Sequence, residues 1–348
     1  MTPLERIVRE EIEATGPMSV AAFMNFALHH PEHGYYATRR PIGAEGDFTT
    51  APEVSQMFGE LVGVWVAAVA ATLDRPPALV EIGPGRGTLM ADMARVLRGA
   101  NIAMPLHLVE TSPSLREQQQ ETLAGLDCRW HEDIAAAFDA YDGPVIVVAN
   151  ELLDALPINQ FVRRDATWHE RVVALVGDHL AFAASPGEAT EAPPADATFI
   201  EVAPMRETLV ATIASRIAER GGATLFVDYG SLTGGSGDTL QALRRHQRVH
   251  PLTHIGEADL TTHVDFAALD RAARAAGCET ASTTQGAFLL SLGLLERAGR
   301  LGHAHPERQE RLQGEVERLA GPEAMGDLFK VLALWHPGSD RPPGFGAP

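Results

Sequence analysis

At 348 residues the chain is long enough for one large α/β domain with additions or for two domains, and its 45% apolar content supports a sizeable core. A formal charge of −18 argues against a sequence-independent grip on nucleic acid, which needs a basic face, and suits a basic protein partner or a cationic substrate. Cys128 and Cys278 are too few for a disulfide framework or a metal–thiolate cluster and point to a reducing cytoplasm.

The first residues, Met1 to Arg6, carry acids and lack both the apolar core of a secretory signal and the Arg-rich, acid-poor character of a transit peptide. Leu4, Ile7, Val8 and Ile12 mark an amphipathic helix, and Ser19 is a helix cap for a second helix through Phe26. Pro31-Glu32-His33-Gly34-Tyr35-Tyr36 breaks it. His29, His30 and His33 lack acidic or thiol partners at ligand spacing, so no metal site is expected. Gly46-Asp47-Phe48-Thr49-Thr50-Ala51-Pro52-Glu53 reads as a polar loop that runs into a helix with Pro52 near its first turn. Thr50 and Glu53 are placed where such a loop could close over a ligand. The most apolar stretch, Leu61 to Leu73, is too short to span a membrane.

Leu79-Val80-Glu81-Ile82-Gly83-Pro84-Gly85-Arg86-Gly87-Thr88-Leu89 is an apolar strand that breaks into a glycine turn and reopens as a helix. Gly83, Gly85 and Gly87 let the backbone turn tightly and approach a ligand, and the helix points free N–H groups back at the turn. A dinucleotide fingerprint wants its third Gly or Ala where Thr88 stands, which disfavours NAD. Glu81, ahead of the glycines, would repel a pyrophosphate but accept from an ammonium, so the ligand is expected to be cationic or zwitterionic.

Leu106 to Val109 reads as the next strand, and Glu110 arrives about twenty residues past the turn, where doubly wound nucleotide folds place a carboxylate on ribose hydroxyls. Asp133, after Cys128 to Glu132, is positioned to reach an exocyclic adenine amine. A nucleoside with an amino-acid tail fits this set, and the segment resembles class I S-adenosylmethionine-dependent methyltransferases.

Pro144 to Ala149 is the clearest buried strand, and it empties into Asn150-Glu151-Leu152-Leu153-Asp154-Ala155-Leu156-Pro157. Ligand crevices of open parallel sheets lie at the carboxyl ends of strands, so Asn150 and Glu151 are expected to face one. Ile158 to Val202 alternates in short β-like pieces, with an exposed loop at Ser185 to Asp196. A helix from Pro204 to Arg220 leads to the strand Ala223 to Gly230, which carries Asp228. Ser231 to Asp238 is glycine-rich and a lid candidate. Asp259-Leu260-Thr261-Thr262-His263-Val264-Asp265-Phe266 is expected to start a helix through Ala276. Helices near Leu289 to Ala298 and Glu307 to Leu319, a strand from Leu328 to Trp335 and a loose tail follow.

These blocks, from Pro31–Tyr36 and Gly46–Glu53 through Phe58-Gly59-Glu60, Glu81–Gly87, Asn150–Pro157, Asp228-Tyr229-Gly230 and Asp259–Phe266, resemble in order the MidA-like family. Its mitochondrial member is a complex I assembly factor that methylates arginine in a core subunit, and it has bacterial homologues. The resemblance implies an α/β class I methyltransferase fold, Rossmann-like, with a seven-stranded mostly parallel sheet and helices on both faces, plus an N-terminal helical addition and inserted β/loop segments. The expected organisation is an addition at 1–75 covering the cofactor site, a methyltransferase domain at 76–337 with insertions near 158–203 and 231–262, and a tail at 338–348. The expected setting is a bacterial cytoplasm.

S-adenosyl-L-methionine is then the expected cofactor, held by Glu81, Gly83, Gly85, Gly87, Thr88, Glu110, Asp133, Asn150, Thr50 and Glu53. The expected acceptor is an arginine-containing protein such as a respiratory complex I subunit. A guanidinium stays protonated and repels a sulfonium, so carboxylates must offset that charge. Glu151, Asp154 and Asp228 are the candidates for pinning it and taking its proton, with His263 as an alternative base. A small-molecule O- or N-methyltransferase and a non-catalytic assembly chaperone that retains the pocket are the competing readings. No sequence feature sets the oligomeric state.

Overall fold

A computed structural model describes residues 1–38, 50–186, 196–235 and 237–346. Gly46 to Thr49 of the polar loop, 187–195 of the expected exposed loop, and Ser236 of the lid candidate lie outside the described residues. Backbone contacts divide the chain into two units, one of 1–48, 153–208 and 233–264, the other of 49–152, 209–232 and 265–348.

The second unit holds the main sheet. Its strands are β1 (Ala78–Ile82), β2 (Leu106–Val109), β3 (Cys128–His131), β4 (Val145–Asn150), β5 (Gly222–Ser231), β6 (Glu279–Thr284) and β7 (Phe329–Trp335). They run in the order β6-β7-β5-β4-β1-β2-β3, with one short further strand paired off that path. β1 to β5 are parallel, whereas β7 runs antiparallel to both neighbours. β1 is buried at every position, the pattern of a strand covered on both faces. After β3 the chain returns to pair β4 with β1, which makes the β1/β4 edge the switch point where such sheets bind ligands.

The helix Gln56–Ala71 is apolar nearly all round because it packs inside, against Thr88–Gly99. Gly59 and Gly63 permit that approach: a Cβ at 63 would stand 3.0 Å from Met93 Cα, and one at 59 would stand 2.5 Å from Asp92 Cβ. Ser55 separates two helices. A short helix, Ala51–Val54, carries Pro52 in its first turn, Ser55 is extended (φ −160°), and its hydroxyl caps the next helix through Met57 N–H. No helix among the described residues is long and apolar enough to cross a membrane. The end of the chain is not loose throughout, since Phe345 is buried with its ring 5.5 Å from that of Phe288.

The first unit begins with helices Pro3–Thr15 and Val20–His29, capped by Thr2 and Ser19. An antiparallel sheet joins Met18–Ser19, Asn159–Arg164, Thr167–Val176, His179–Pro186 and Phe199–Val202. A smaller one joins Gln241–Arg244, Gln247–Val249 and Asp259–Thr261. Phe23, Met24, Leu28, Tyr35 and Leu260 are at its core. The expected helix at Asp259 begins only at Phe266. Leu260 and Thr261 are spent on strand pairing, and Asp265 is the true cap, accepting from Ala268 N–H at 3.0 Å.

Candidate active site

The turn after β1 has the backbone its glycines allow. Gly83, Gly85 and Gly87 adopt φ of +65°, +55° and +83°, and Gly87 is the N-cap of the following helix, where it offers no side chain to cap it. A Cβ at 83 would lie 2.9 Å from Leu152 Cδ1, and one at 87 would lie 3.3 Å from Leu123 Cγ. Glu81 is 2% exposed, and burial pushes its carboxyl up to about 8, opposed by the Met90 backbone N–H. Its Oε2 and the Oδ1 of Asn150 are buried without a hydrogen-bond partner among the described residues. Two orphaned acceptors at the ends of β1 and β4, across the switch point, are groups that a cationic, hydrogen-bonding ligand would satisfy.

Glu110 ends β2 as a buried carboxylate whose Oε1 accepts from Ser112 N–H at 2.7 Å and whose Oε2 accepts from Gln119 Nε2 at 3.1 Å. Burial raises its pKa, opposed by these donors. Gln119 also donates to Gly85 O at 2.8 Å and accepts from Trp130 Nε1 at 2.9 Å. Arg116 clamps the backbone beside it, donating to the carbonyls of Glu110 at 2.7 Å and His131 at 3.0 Å. Neither Gln119 nor Arg116 was expected from sequence. Leu115 and Gln119, four apart, are the buried positions of the helix Pro113–Thr122.

Asp133 is exposed and caps the helix Ile134–Asp139, its Oδ1 accepting from Ala136 N–H at 2.8 Å. That capping bond commits one of its two oxygens.

The segment after the polar loop touches this turn. Glu53 Oε1 accepts from Thr88 Oγ1 at 2.6 Å, and Oε2 accepts from Arg86 Nη1 at 3.2 Å. Thr50 precedes the short helix without a side-chain capping bond. Ala51 N–H donates to Glu151 Oε1 at 3.0 Å, and Asn150 Nδ2 donates to the same oxygen at 3.1 Å. Glu151 itself sits at φ +51°, a left-handed conformation costly for a side-chain-bearing residue, and its N–H donates to Val227 O at 2.9 Å. Asp228, next along β5, is fully buried, and its Oδ1 accepts from Tyr229 N–H at 2.9 Å. β5 pairs with β4 up to Val227 and Asn150, so Glu151, just past the end of β4, and Asp228, within β5, are the next positions along two adjacent strands.

Asp154 and His263 belong to the other unit, where a residue missed by sequence brings their backbones together. Arg206, 1% exposed, donates to the carbonyls of Asp154 at 3.1 Å, Leu156 at 3.1 Å and His263 at 2.8 Å, and to the Thr262 hydroxyl. Asp154 is buried and His263 exposed. No cluster of metal-binding side chains occurs among the described residues.

A switch-point glycine turn, acids at the tips of β1 and β2, and an antiparallel β7 inserted beside β5 define a class I methyltransferase. The chain belongs to the family whose model is described as "Putative S-adenosyl-L-methionine-dependent methyltransferase", which matches residues 61–284. It is 34% identical to the mouse protein arginine methyltransferase NDUFAF7, mitochondrial, over 96% of this chain and 84% of that protein. The zebrafish protein of the same name is 36% identical over 93% and 85%. A COG1565 superfamily member from Burkholderia thailandensis, solved with S-adenosyl-homocysteine bound, superposes with a TM-score of 0.87 at 26% identity, covering 98% of this chain and 93% of that one.

The mitochondrial names of these relatives overturn the cytoplasmic placement. A low cysteine count reports the redox state of the surroundings and carries no address. The curated relatives compared are animal proteins, which leaves the bacterial setting unsupported by them.

The residues present fit S-adenosyl-L-methionine. The turn admits close backbone approach, Glu81 and Asn150 offer unpaired acceptors, and Glu110 presents a fixed carboxylate at the next strand tip. When bound, the cofactor supplies an electrophilic methyl group on a sulfonium.

Proposed function

We propose that this methyltransferase acts on the guanidinium of an arginine in a protein acceptor, with a respiratory complex I subunit as the specific candidate. The relatives named as protein arginine methyltransferases support the acceptor class, and the MidA-like resemblance supports the complex. In the proposed cofactor set, Glu81, Asn150 and the N–H groups of Gly83 to Thr88 hold the amino-acid end, and Glu110 takes the ribose hydroxyls. The second oxygen of Asp133 is assigned to the base, Thr50 is assigned to the cofactor set with Glu53, and the Glu53 carboxylate braces the turn through Thr88 and Arg86.

One observation carries the acceptor assignment: Glu151 is held in a strained backbone state with its carboxylate fixed by two donors beside the cofactor turn. Strain retained at a strand tip is a mark of function. Glu151 and Asp228 pin the guanidinium and offset its repulsion from the sulfonium. The acceptor nitrogen takes the methyl as the carbon–sulfur bond breaks with its electron pair on sulfur. The nitrogen's proton leaves to Glu151. Aiming and water exclusion supply most of the rate, since an in-line displacement asks for little covalent chemistry from the protein.

Incubating a mitochondrial lysate with the protein and isotopically labelled S-adenosyl-L-methionine, followed by mass spectrometry, tests the reading. Label on arginine of a protein supports it. Label confined to a small molecule assigns the chain to small-molecule methyl transfer, and binding without turnover assigns it a non-catalytic role; either outcome refutes the proposal.

A further inference from the structure

Gln119 is completely buried, and all the polar capacity of its side-chain amide that the structure shows in use is directed at groups around the cofactor turn. Its nitrogen donates to Gly85 O at 2.8 Å and to Glu110 Oε2 at 3.1 Å, and its oxygen accepts from Trp130 Nε1 at 2.9 Å. These partners come from three separate pieces of chain: the turn after β1, the tip of β2, and β3. An amide has two N–H donors and one acceptor oxygen, and this geometry employs both kinds at once.

The donated pair matters most. Gly85 stands at φ +55° in the middle of the turn, so its carbonyl direction sets where the neighbouring N–H groups aim. Glu110 Oε2, fixed by the second donation, has its remaining lone pair directed by that bond. Burial alone would drive Glu110 toward its protonated form, whereas donation from Gln119 favours the carboxylate that hydroxyl recognition requires.

We infer that Gln119 is a positioning residue for the cofactor: it holds the Glu110 carboxylate and the Gly85 turn in mutual register, and Trp130 in turn fixes the amide's orientation. This rests on the proposed cofactor role of Glu110 and the glycine turn. Gln119 touches no cofactor atom in this account and acts through its two partners. Sequence alone gives little warning, because Gln118-Gln119-Gln120 reads as a polar run on a surface helix.

Two variants of the full-length protein separate positioning from packing. Gln119→Glu keeps the shape and the acceptor for Trp130 but removes both donated bonds, and Gln119→Leu removes all three. S-adenosyl-homocysteine is titrated calorimetrically into each, and thermal unfolding is recorded alongside. The dissociation constant is expected to rise about 10- to 100-fold in both variants, each of which loses the two donated bonds, one to a carboxylate and one to a carbonyl. KM for S-adenosyl-L-methionine should rise by a similar factor, with kcat at saturating cofactor within about 2-fold of wild type.

Combining Gln119→Glu with Glu110→Gln should cost no more than the worse single change, because the two act as one unit. A folded Gln119→Glu protein with wild-type affinity overturns the inference, as does strict additivity with Glu110→Gln. Should Gln119→Leu fail to fold, Gln119→Glu alone decides the matter. A wild-type protein that binds no S-adenosyl-homocysteine would instead overturn the cofactor reading beneath the inference, and the two failures are thereby distinct.

Discussion

The backbone N–H of Ala51 donates to Oε1 of Glu151 at 3.0 Å, joining positions 100 residues apart and tying the short helix after the polar loop to the acid at the tip of β4. Glu53, two residues on, bonds Thr88 at the start of the helix that follows the glycine turn. One four-residue helix therefore braces both the proposed acceptor side and the proposed cofactor side within the same unit.

Glu151→Gln keeps an acceptor for Ala51 N–H and removes the charge. We expect affinity for S-adenosyl-homocysteine to stay within about 3-fold while kcat falls about 10²-fold or more, the loss of a group that stabilises a cationic acceptor and takes its proton. Single-turnover methyl transfer beside calorimetric binding checks this. Equal activity would remove Glu151 from catalysis.

Gly83→Val places a β-branched side chain at φ +65° and a Cβ 2.9 Å from Leu152 Cδ1. The strain costs about 1–3 kcal/mol of stability, and the side chain fills the space through which a ligand approaches the backbone. Binding of S-adenosyl-homocysteine should be abolished in protein that still shows a cooperative thermal transition. Unchanged affinity would count against the turn as the binding site.

Glu81 should make cofactor binding pH-dependent. Its usual value of 4.5 applies in the unfolded chain, and burial raises it to about 8 in the folded, ligand-free protein. Between those values the folded chain holds a proton that the unfolded chain has released, so this residue's contribution to stability declines as pH rises from 4.5 to 8. A ligand bearing ammonium and sulfonium charges favours the carboxylate, so its binding releases a proton in that window and tightens with pH until about 8. Calorimetry in buffers of different ionisation heat measures the proton, and Glu81→Gln should abolish its release. No proton release by the wild-type protein would refute the assignment.

Arg206→Met should lower stability by about 3 kcal/mol or more, because three backbone carbonyls and the Thr262 hydroxyl lose a buried donor together. Arg206→Lys should recover little of it, since an ammonium lacks the planar fork. Thermal unfolding reports the change, and a Tm equal to wild type in either variant would contradict it.

What sequence reveals here is whatever is local. Ser19 as a cap, the β1 strand and its glycine turn, and the buried run into Asn150 follow from neighbouring residues and alternate glycines. β6 escaped notice because Glu279-Thr280-Ala281-Ser282-Thr283-Thr284 is a polar edge strand with one neighbour, and its single partnered side leaves little apolar pattern. Asp265, not Asp259, caps the following helix because residues 259–261 pair with Gln241–Leu243, a long-range choice that periodicity does not encode. Gln119 and Arg206 were hidden for the same reason. Each is a polar side chain whose meaning depends on carbonyls and carboxylates drawn from distant segments.

The central claim is that a sulfonium nucleoside sits at the β1/β4 switch point, and a crystal structure of the protein with S-adenosyl-homocysteine tests it most directly. The account predicts the ribose hydroxyls on Glu110 and the amino-acid end against the N–H groups of residues 83–88 beside Glu81. Ligand bound elsewhere, with those N–H groups and Glu110 untouched, would contradict it.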